Sequence, residues 1–258
     1  MISITMQTKQ REKKKIKLWT VVFWIALWQA GSMALHSEIL LASPLSVGRC
    51  LILLLGEGTF WRRIWFSFGR IAAGFFAAAG LGILLSAAAR RISLVKDLLA
   101  LPVAALKATP VASFVVLVLI WLPSRNLSVL ISFIMAFPIV YTNLLEGFEN
   151  LDGKLFEMAQ VFAMPVGKKL YYLYFAGLLP YFRSACAVAI GMSWKAGIAA
   201  ELIGIPGGSI GESLYNAKIY LETPSLFAWT IVIIAVSVLF EKGFWFCLKL
   251  AARGLGDV

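Results

Sequence analysis

The chain has 258 residues, of which 60% are hydrophobic and only 14% charged, where a soluble domain of this length would be about half apolar and a quarter charged. That balance excludes a soluble enzyme and leaves room for roughly five to seven membrane spans of ~20 residues with short loops. The formal net charge is +11, but lysines and arginines gather at the ends of apolar runs and do not interleave with aromatics, which is membrane topology and excludes nucleic acid as a partner.

In chain order, a basic run at residues 9–17 precedes an apolar stretch, Leu18 to Leu35. A signal peptide also begins this way, but the stretch is long and the chain stays hydrophobic, so an uncleaved anchor helix over 17–36 with a cytoplasmic N-terminus is expected. Ser43-Pro44 is placed to start a short interfacial helix through Leu55. A second span is expected over 65–89, with small residues at Gly69, Ala73, Ala77, Gly80 and Gly82 for close helix approach in lipid. A third apolar region, 98–122, is broken at Lys107-Ala-Thr109-Pro110, because proline removes a backbone donor. The fourth span runs over 127–145 with Pro138 inside it, the fifth over 181–203, and the sixth over 226–250 after a glycine-rich outer loop. Lysine and arginine positions put both termini inside. The expected fold is therefore all-α, a polytopic membrane protein with about six spans. With no internal repeat or linker it reads as one domain, 1–258, whose core covers about 60–250.

Residues 150–180 are the exception in this apolar chain. They carry too many charges for hydrocarbon and must face water or a soluble partner. Asp152 can cap a helix beginning near Gly153. Leu155, Phe156, Ala159 and Phe162 or Ala163 recur at helical spacing and can form one apolar face, while Glu157 points elsewhere. A short amphipathic helix of this kind suits a groove on another protein.

The same segment resembles the cytoplasmic coupling loop of ABC importer permeases, whose pattern is close to E-A-A-x-x-x-G followed by I-x-L-P. Glu157-Met158-Ala159 stand at the E-A-A positions, Ala163 at the glycine and Leu173 at the isoleucine, with Phe175-Ala176 replacing L-P. Pro180, Trp194 and Ala200-Glu201 match features of the nitrate, sulfonate and taurine subfamily. Alanine enters left-handed backbone less freely than glycine, so the turn is expected to shift toward Pro165-Val166-Gly167. The resemblance implies a bacterial plasma-membrane permease that contacts its ATPase through Glu157, Met158, Ala159, Phe162, Ala163 and Gly167. It also implies a second permease copy forming a homodimer, with two cytoplasmic ATPase subunits and an extracytoplasmic binding protein. The substrate would be a small anion of the nitrate, sulfonate or taurine kind, or a thiamine-precursor-like solute.

No catalytic set or metal site is expected. His36 is the single histidine, which argues against zinc centres and Ser-His-Asp triads. Cys50, Cys186 and Cys247 are far apart in apolar sequence and read as core residues. No phosphate loop is present, since Gly153-Lys154 and Gly167-Lys168 lack the earlier glycine and the following hydroxyl. ATP and Mg²⁺ would therefore sit on the partner ATPase, with no cofactor in this chain. Lys195 and Glu201 are charges within the fifth apolar run, where each costs about 2.5–3.5 kcal/mol. They either line a translocation path or pair structurally near its outer end; Thr109 and Asn143 are weaker path candidates. An ion-coupled secondary transporter is the alternative, and it would need Lys195 and Glu201 as its coupling pair.

Overall fold

A computed structural model describes residues 18–254, with side chains described for 19–250. Every regular element among them is helical: α1 Leu18–Leu35, α2 Pro44–Leu55, α3 Gly58–Arg91, α4 Ser93–Ala108, α5 Val111–Val118, α6 Leu127–Glu149, α7 Gly153–Val161, α8 Val166–Lys169, α9 Ala176–Gly204, α10 Ile210–Ile219 and α11 Thr223–Gly254. The basic run at 9–17 and the side chain of Arg253 lie outside the described residues.

Four helical stretches are long and apolar enough to cross a bilayer: Gly58–Arg91, Ser124–Glu149, Val166–Gly204 and Thr223–Leu250. A fifth exists if α4 and α5 form one span, and these are bent by 105°. The break falls at Thr109-Pro110, as the missing proline donor requires. α2 begins where expected: the Ser43 hydroxyl accepts from the Ser46 amide at 3.1 Å, with Pro44 at the first helical position.

The fifth span starts earlier than the sequence suggested. A π turn, Leu170–Phe175, joins α8 to α9 without a break, so the helix is continuous over 39 residues from Val166 to Gly204. At 1.5 Å per residue it is about 58 Å long, more than the ~40–45 Å of a bilayer with its headgroups. One end must therefore project from the membrane. The glycine-rich loop also holds a helix, α10, which the sequence reading missed. Its cap was legible as Ser209-Ile-Gly-Glu212: Ser209 Oγ accepts from the Glu212 amide at 3.0 Å, and Glu212 Oε2 accepts from the Gly208 amide at 2.7 Å.

α6 forms the centre, with α3 on one side and α9 on the other. The α3–α6 approach depends on residues that lack bulk. A Cβ at Gly74 would lie 2.3 Å from the Val129 carbonyl oxygen, and one at Gly82 would lie 2.8 Å from Val140 Cγ1. Of the five small residues named for close helix approach, Gly82 is the one at this contact. Gly69 and Gly80 face open space, and Ala73 and Ala77 are exposed. The interface lies one residue around the helix, through Gly74, Ala78 and Gly82, because the large apolar side chains Ile71 and Phe75 share that buried side. On the other flank the Ser132 hydroxyl donates to the Ser193 carbonyl at 3.0 Å and the Ser193 hydroxyl to the Ser132 carbonyl at 3.3 Å. Such reciprocal bonds contribute about 0.6 kcal/mol each between membrane helices. Trp194 Nε1 donates to the Ile233 carbonyl at 3.1 Å and ties α9 to α11. Cys186 is buried as expected and Cys50 is half-buried, but Cys247 is exposed on α11.

Candidate functional site

α7 lies just before the N-terminal end of the long helix. Asp152 caps it, Oδ1 accepting from the Lys154 amide at 2.9 Å. Its apolar residues divide between two sides. Phe156 packs edge-on against Tyr174 at 5.0 Å, and Ala159 is 3% exposed. These residues hold the helix to its own chain, so Ala159 is an anchor and not the contact residue the sequence suggested. Leu155, Met158, Val161 and Phe162 point outward, with Phe162 76% exposed. Glu157 is exposed beside them and has no hydrogen bond or ion pair among the described residues. Four large apolar side chains exposed on one short helix make a candidate docking surface.

The turn after α7 did not shift toward Gly167. Ala163 itself adopts a left-handed φ of 45°. The Met164 amide donates to the Ala159 carbonyl at 2.9 Å and the Ala163 amide to the Gln160 carbonyl at 3.0 Å, which is the Schellman closure with alanine at the glycine position. Gly167 lies inside α8, where any residue serves. The Schellman bonds offset the alanine penalty, so the chain turns there despite the Cβ. Ala163→Gly is expected to stabilise the protein by about 1 kcal/mol, because left-handed backbone costs a non-glycine residue ~1–2 kcal/mol while glycine gives back part of this as chain entropy. Thermal unfolding of the two proteins in the same detergent checks this; a lower midpoint for the glycine variant would contradict it.

The four path candidates separate. The Thr109 hydroxyl donates to the Ala105 carbonyl at 2.8 Å and the Asn143 amide to the Ile139 carbonyl at 2.8 Å, so each bonds its own helix. Lys195 is exposed partway along α9. Glu201 is fully buried, at 0% exposure. Lys195 and Glu201 form no ion pair, because one points out of the bundle and the other into it.

Glu201 is the centre of a buried knot that sequence reasoning did not resolve. Its Oε2 accepts from the Ser67 hydroxyl at 2.6 Å and from the Gly211 amide at 3.3 Å, and Ser67 Oγ accepts from the Ile210 amide at 3.0 Å. Ser128 faces the same carboxylate. Its hydroxyl and Glu201 Oε1 are buried without a hydrogen-bond partner of good geometry. The knot joins α3, α6, α9 and the N-terminus of α10, whose amide groups suit a negative charge. α10 sits hard against it: a Cβ at Gly211 would lie 2.4 Å from the Glu201 backbone.

Beside the knot, at the end opposite α7, is a cavity of about 640 Å³ lined by Arg62, Phe66, Arg125 and the Ile205–Gly208 turn. Arg70 lies over the Phe66 ring at 3.8 Å and donates through Nε to the Arg125 carbonyl, fixing the cavity wall. Ile205 takes a left-handed φ of 46°, and its amide donates to the Glu201 carbonyl at 2.8 Å.

No family model matches the chain. Curated relatives do. SsuC of Bacillus subtilis, named for aliphatic sulfonates transport, is 26% identical over 220 residues, 84% of this chain and 79% of that one. TauC of Escherichia coli, a taurine transport system permease, is 25% identical over 222 residues, 84% and 80% of the two chains. CmpB of Synechococcus elongatus, a bicarbonate transport system permease, is 28% identical over 203 residues, 73% and 68%. With matches spanning more than two thirds of each partner and several bilayer-length helices, the chain is a cell-membrane protein similar to transport permeases named for aliphatic sulfonates, taurine and bicarbonate.

Proposed function

We propose that this chain forms the translocation path of an ATP-driven importer and that α7 is the surface through which a separate ATPase moves it. The observation that carries this reading is the outward apolar patch, Leu155, Met158, Val161 and Phe162, on a short helix that is not part of any bilayer-length stretch. Six crossings follow if α1 and the bent α4–α5 pair each count as one, with both termini on the α7 side. The working unit is a homodimer with two ATPase subunits and an extracytoplasmic binding protein. ATP and Mg²⁺ act on the ATPase. Their binding biases the inward- and outward-facing states only through differential affinity, and a shift from 1:99 to 99:1 needs about 5.5 kcal/mol. Glu157, at the edge of the patch, is free to pair with a basic group on the ATPase.

The substrate we assign is a small anion. The relatives' names point to sulfonates, taurine and bicarbonate, and the cavity opposite α7 presents Arg62 and Arg125. Lys195 then faces the path or the second copy, since a charge exposed to lipid at mid-span is costly. Glu201 serves as the latch that seats the N-terminus of α10 against α3. Less favoured is the ion-coupled alternative, which needs buried ionisable groups: of its two candidates only Glu201 is buried, and Lys195 is exposed.

The test is uptake in proteoliposomes holding the chain, its co-purifying ATPase and binding protein. Uptake is expected to require internal ATP and to persist when ionophores collapse all ion gradients. Uptake driven by an ion gradient without ATP would overturn the reading.

A further inference from the structure

The cavity opposite α7 offers much to a negative group and little to a positive one. Its walls hold the guanidinium groups of Arg62 and Arg125 and the apolar surfaces of Phe66, Pro123, Ile205 and Pro206. The Ser124 hydroxyl, also in the wall, is neutral, and no carboxylate lines the cavity among the described residues. Two acids lie near it along the chain, and both are turned to α10. Glu201 Oε2 accepts from the Ser67 hydroxyl and the Gly211 amide, and Glu212 Oε2 accepts from the Gly208 amide at 2.7 Å. Neither is in an ion pair among the described residues.

Phe66 would be the other place for a positive group, since an aromatic face attracts cations. That place is taken. The Arg70 guanidinium lies over the Phe66 ring, Cζ 3.8 Å from its centroid, and Arg70 Nε donates to the Arg125 carbonyl. Arg70 and Phe66 are one turn apart on α3, and Arg125 belongs to a 3₁₀ turn, Ser124–Asn126, that leads into α6. One side chain therefore fixes both the ring and the turn that carries Arg125. It also adds a third positive charge behind the wall, in no ion pair among the described residues.

We propose that this cavity selects a plain monoanion with a short alkyl tail, such as an alkanesulfonate, over a zwitterion that carries an ammonium group, such as taurine. This rests on the reading of the cavity as the anion site of the transport path. Arg62 and Arg125 hold the oxyanion head, and the tail lies on Phe66, Ile205 and the two prolines. An ammonium at the end of that tail faces guanidinium groups and no carboxylate. Repulsion of one unit charge at a partly screened site is worth about tenfold in affinity. Arg70 is a positioning residue, acting through Phe66 and Arg125.

The experiment uses an isosteric pair, 1-propanesulfonate and taurine, which differ by a methyl against an ammonium group. The full chain in detergent, in buffer free of other sulfonates and of phosphate, is treated with phenylglyoxal. Modification of Arg62 and Arg125 is followed by peptide mass spectrometry, with Arg49, exposed on α2 and outside the cavity, as the reference. Propanesulfonate is expected to protect both cavity arginines at a concentration about tenfold lower than taurine needs. It should also act at about fourfold lower concentration than methanesulfonate, since two half-buried methylenes are worth one fully buried one. Arg70→Gln is expected to shrink the margin over taurine, and Arg70→Lys, which keeps the charge, to retain most of it. Taurine that protects as well as propanesulfonate would overturn the selectivity and leave an anion cavity standing. Protection by neither ligand would overturn the cavity reading as well. An unchanged margin in Arg70→Gln would overturn the role given to Arg70.

Discussion

Replacing Met158 and Phe162 together with aspartate is expected to reduce uptake by at least a hundredfold while leaving insertion and helical content unchanged. Both side chains are more than half exposed, so the free chain loses little packing when they change. In the assembled transporter the same positions would be covered. Truncating a buried interface anchor costs about 2 kcal/mol or more, and an unpaired carboxylate adds a desolvation penalty. Two such changes exceed the ~2.7 kcal/mol that corresponds to a hundredfold. Glu157→Lys acts in the same direction with a smaller effect, because a rim charge contributes less than an apolar anchor. The measurement is ATP-driven uptake alongside retention of the ATPase in pull-down. Phe156→Ala is the contrasting variant: it loosens the loop from Tyr174 and lowers stability before it lowers docking. Retained uptake and retained ATPase in the double aspartate variant would put the docking surface elsewhere.

Glu201→Ala is expected to destabilise the protein by about 3–5 kcal/mol. The alanine leaves the Ser67 hydroxyl and the Gly211 amide without their shared acceptor, at roughly 1–3 kcal/mol for each stranded group, and it opens a cavity. Glu201→Gln keeps a carbonyl oxygen for both donors and is expected to lose no more than about 1 kcal/mol. The difference between the two variants gives the worth of the whole side chain, and Glu201→Leu, which fills the space without an acceptor, separates hydrogen bonding from packing: it is expected to lose nearly as much as alanine. Unfolding in detergent measures it. Should alanine and glutamine prove equally stable, Glu201 does not latch α10 to α3.

How much of this was legible in the sequence depended on whether a feature was local. The Ser43-Pro44 start, the break at Thr109-Pro110 and the Asp152 cap are set by neighbours within four residues, and they appear as expected. The α10 cap was equally local, written as Ser209-x-x-Glu212, but glycine-rich surroundings concealed it. What failed was the choice of helix face. The small residues of α3 occur all round the helix, so spacing alone could not select Gly74 over Gly69 or Ala73; the bulk of α6 decides that. The same holds in α7, where Ala159 fits an apolar stripe with Phe162 but turns toward Tyr174 and its own chain. Glu201 was singled out as an intramembrane charge, yet its partners come from Ser67 and Gly211, and Ser67 lies too far along the chain for spacing to suggest it.

The most direct test of the central idea uses a lone cysteine at position 158, with Cys50, Cys186 and Cys247 replaced by alanine. Maleimide labelling is followed in right-side-out and inside-out membrane vesicles. Labelling is expected only in inverted vesicles and should be blocked when the purified ATPase subunit is added back. A cysteine at 158 that reacts from the outer face, or that reacts at the same rate with the ATPase present, would contradict the role given to α7.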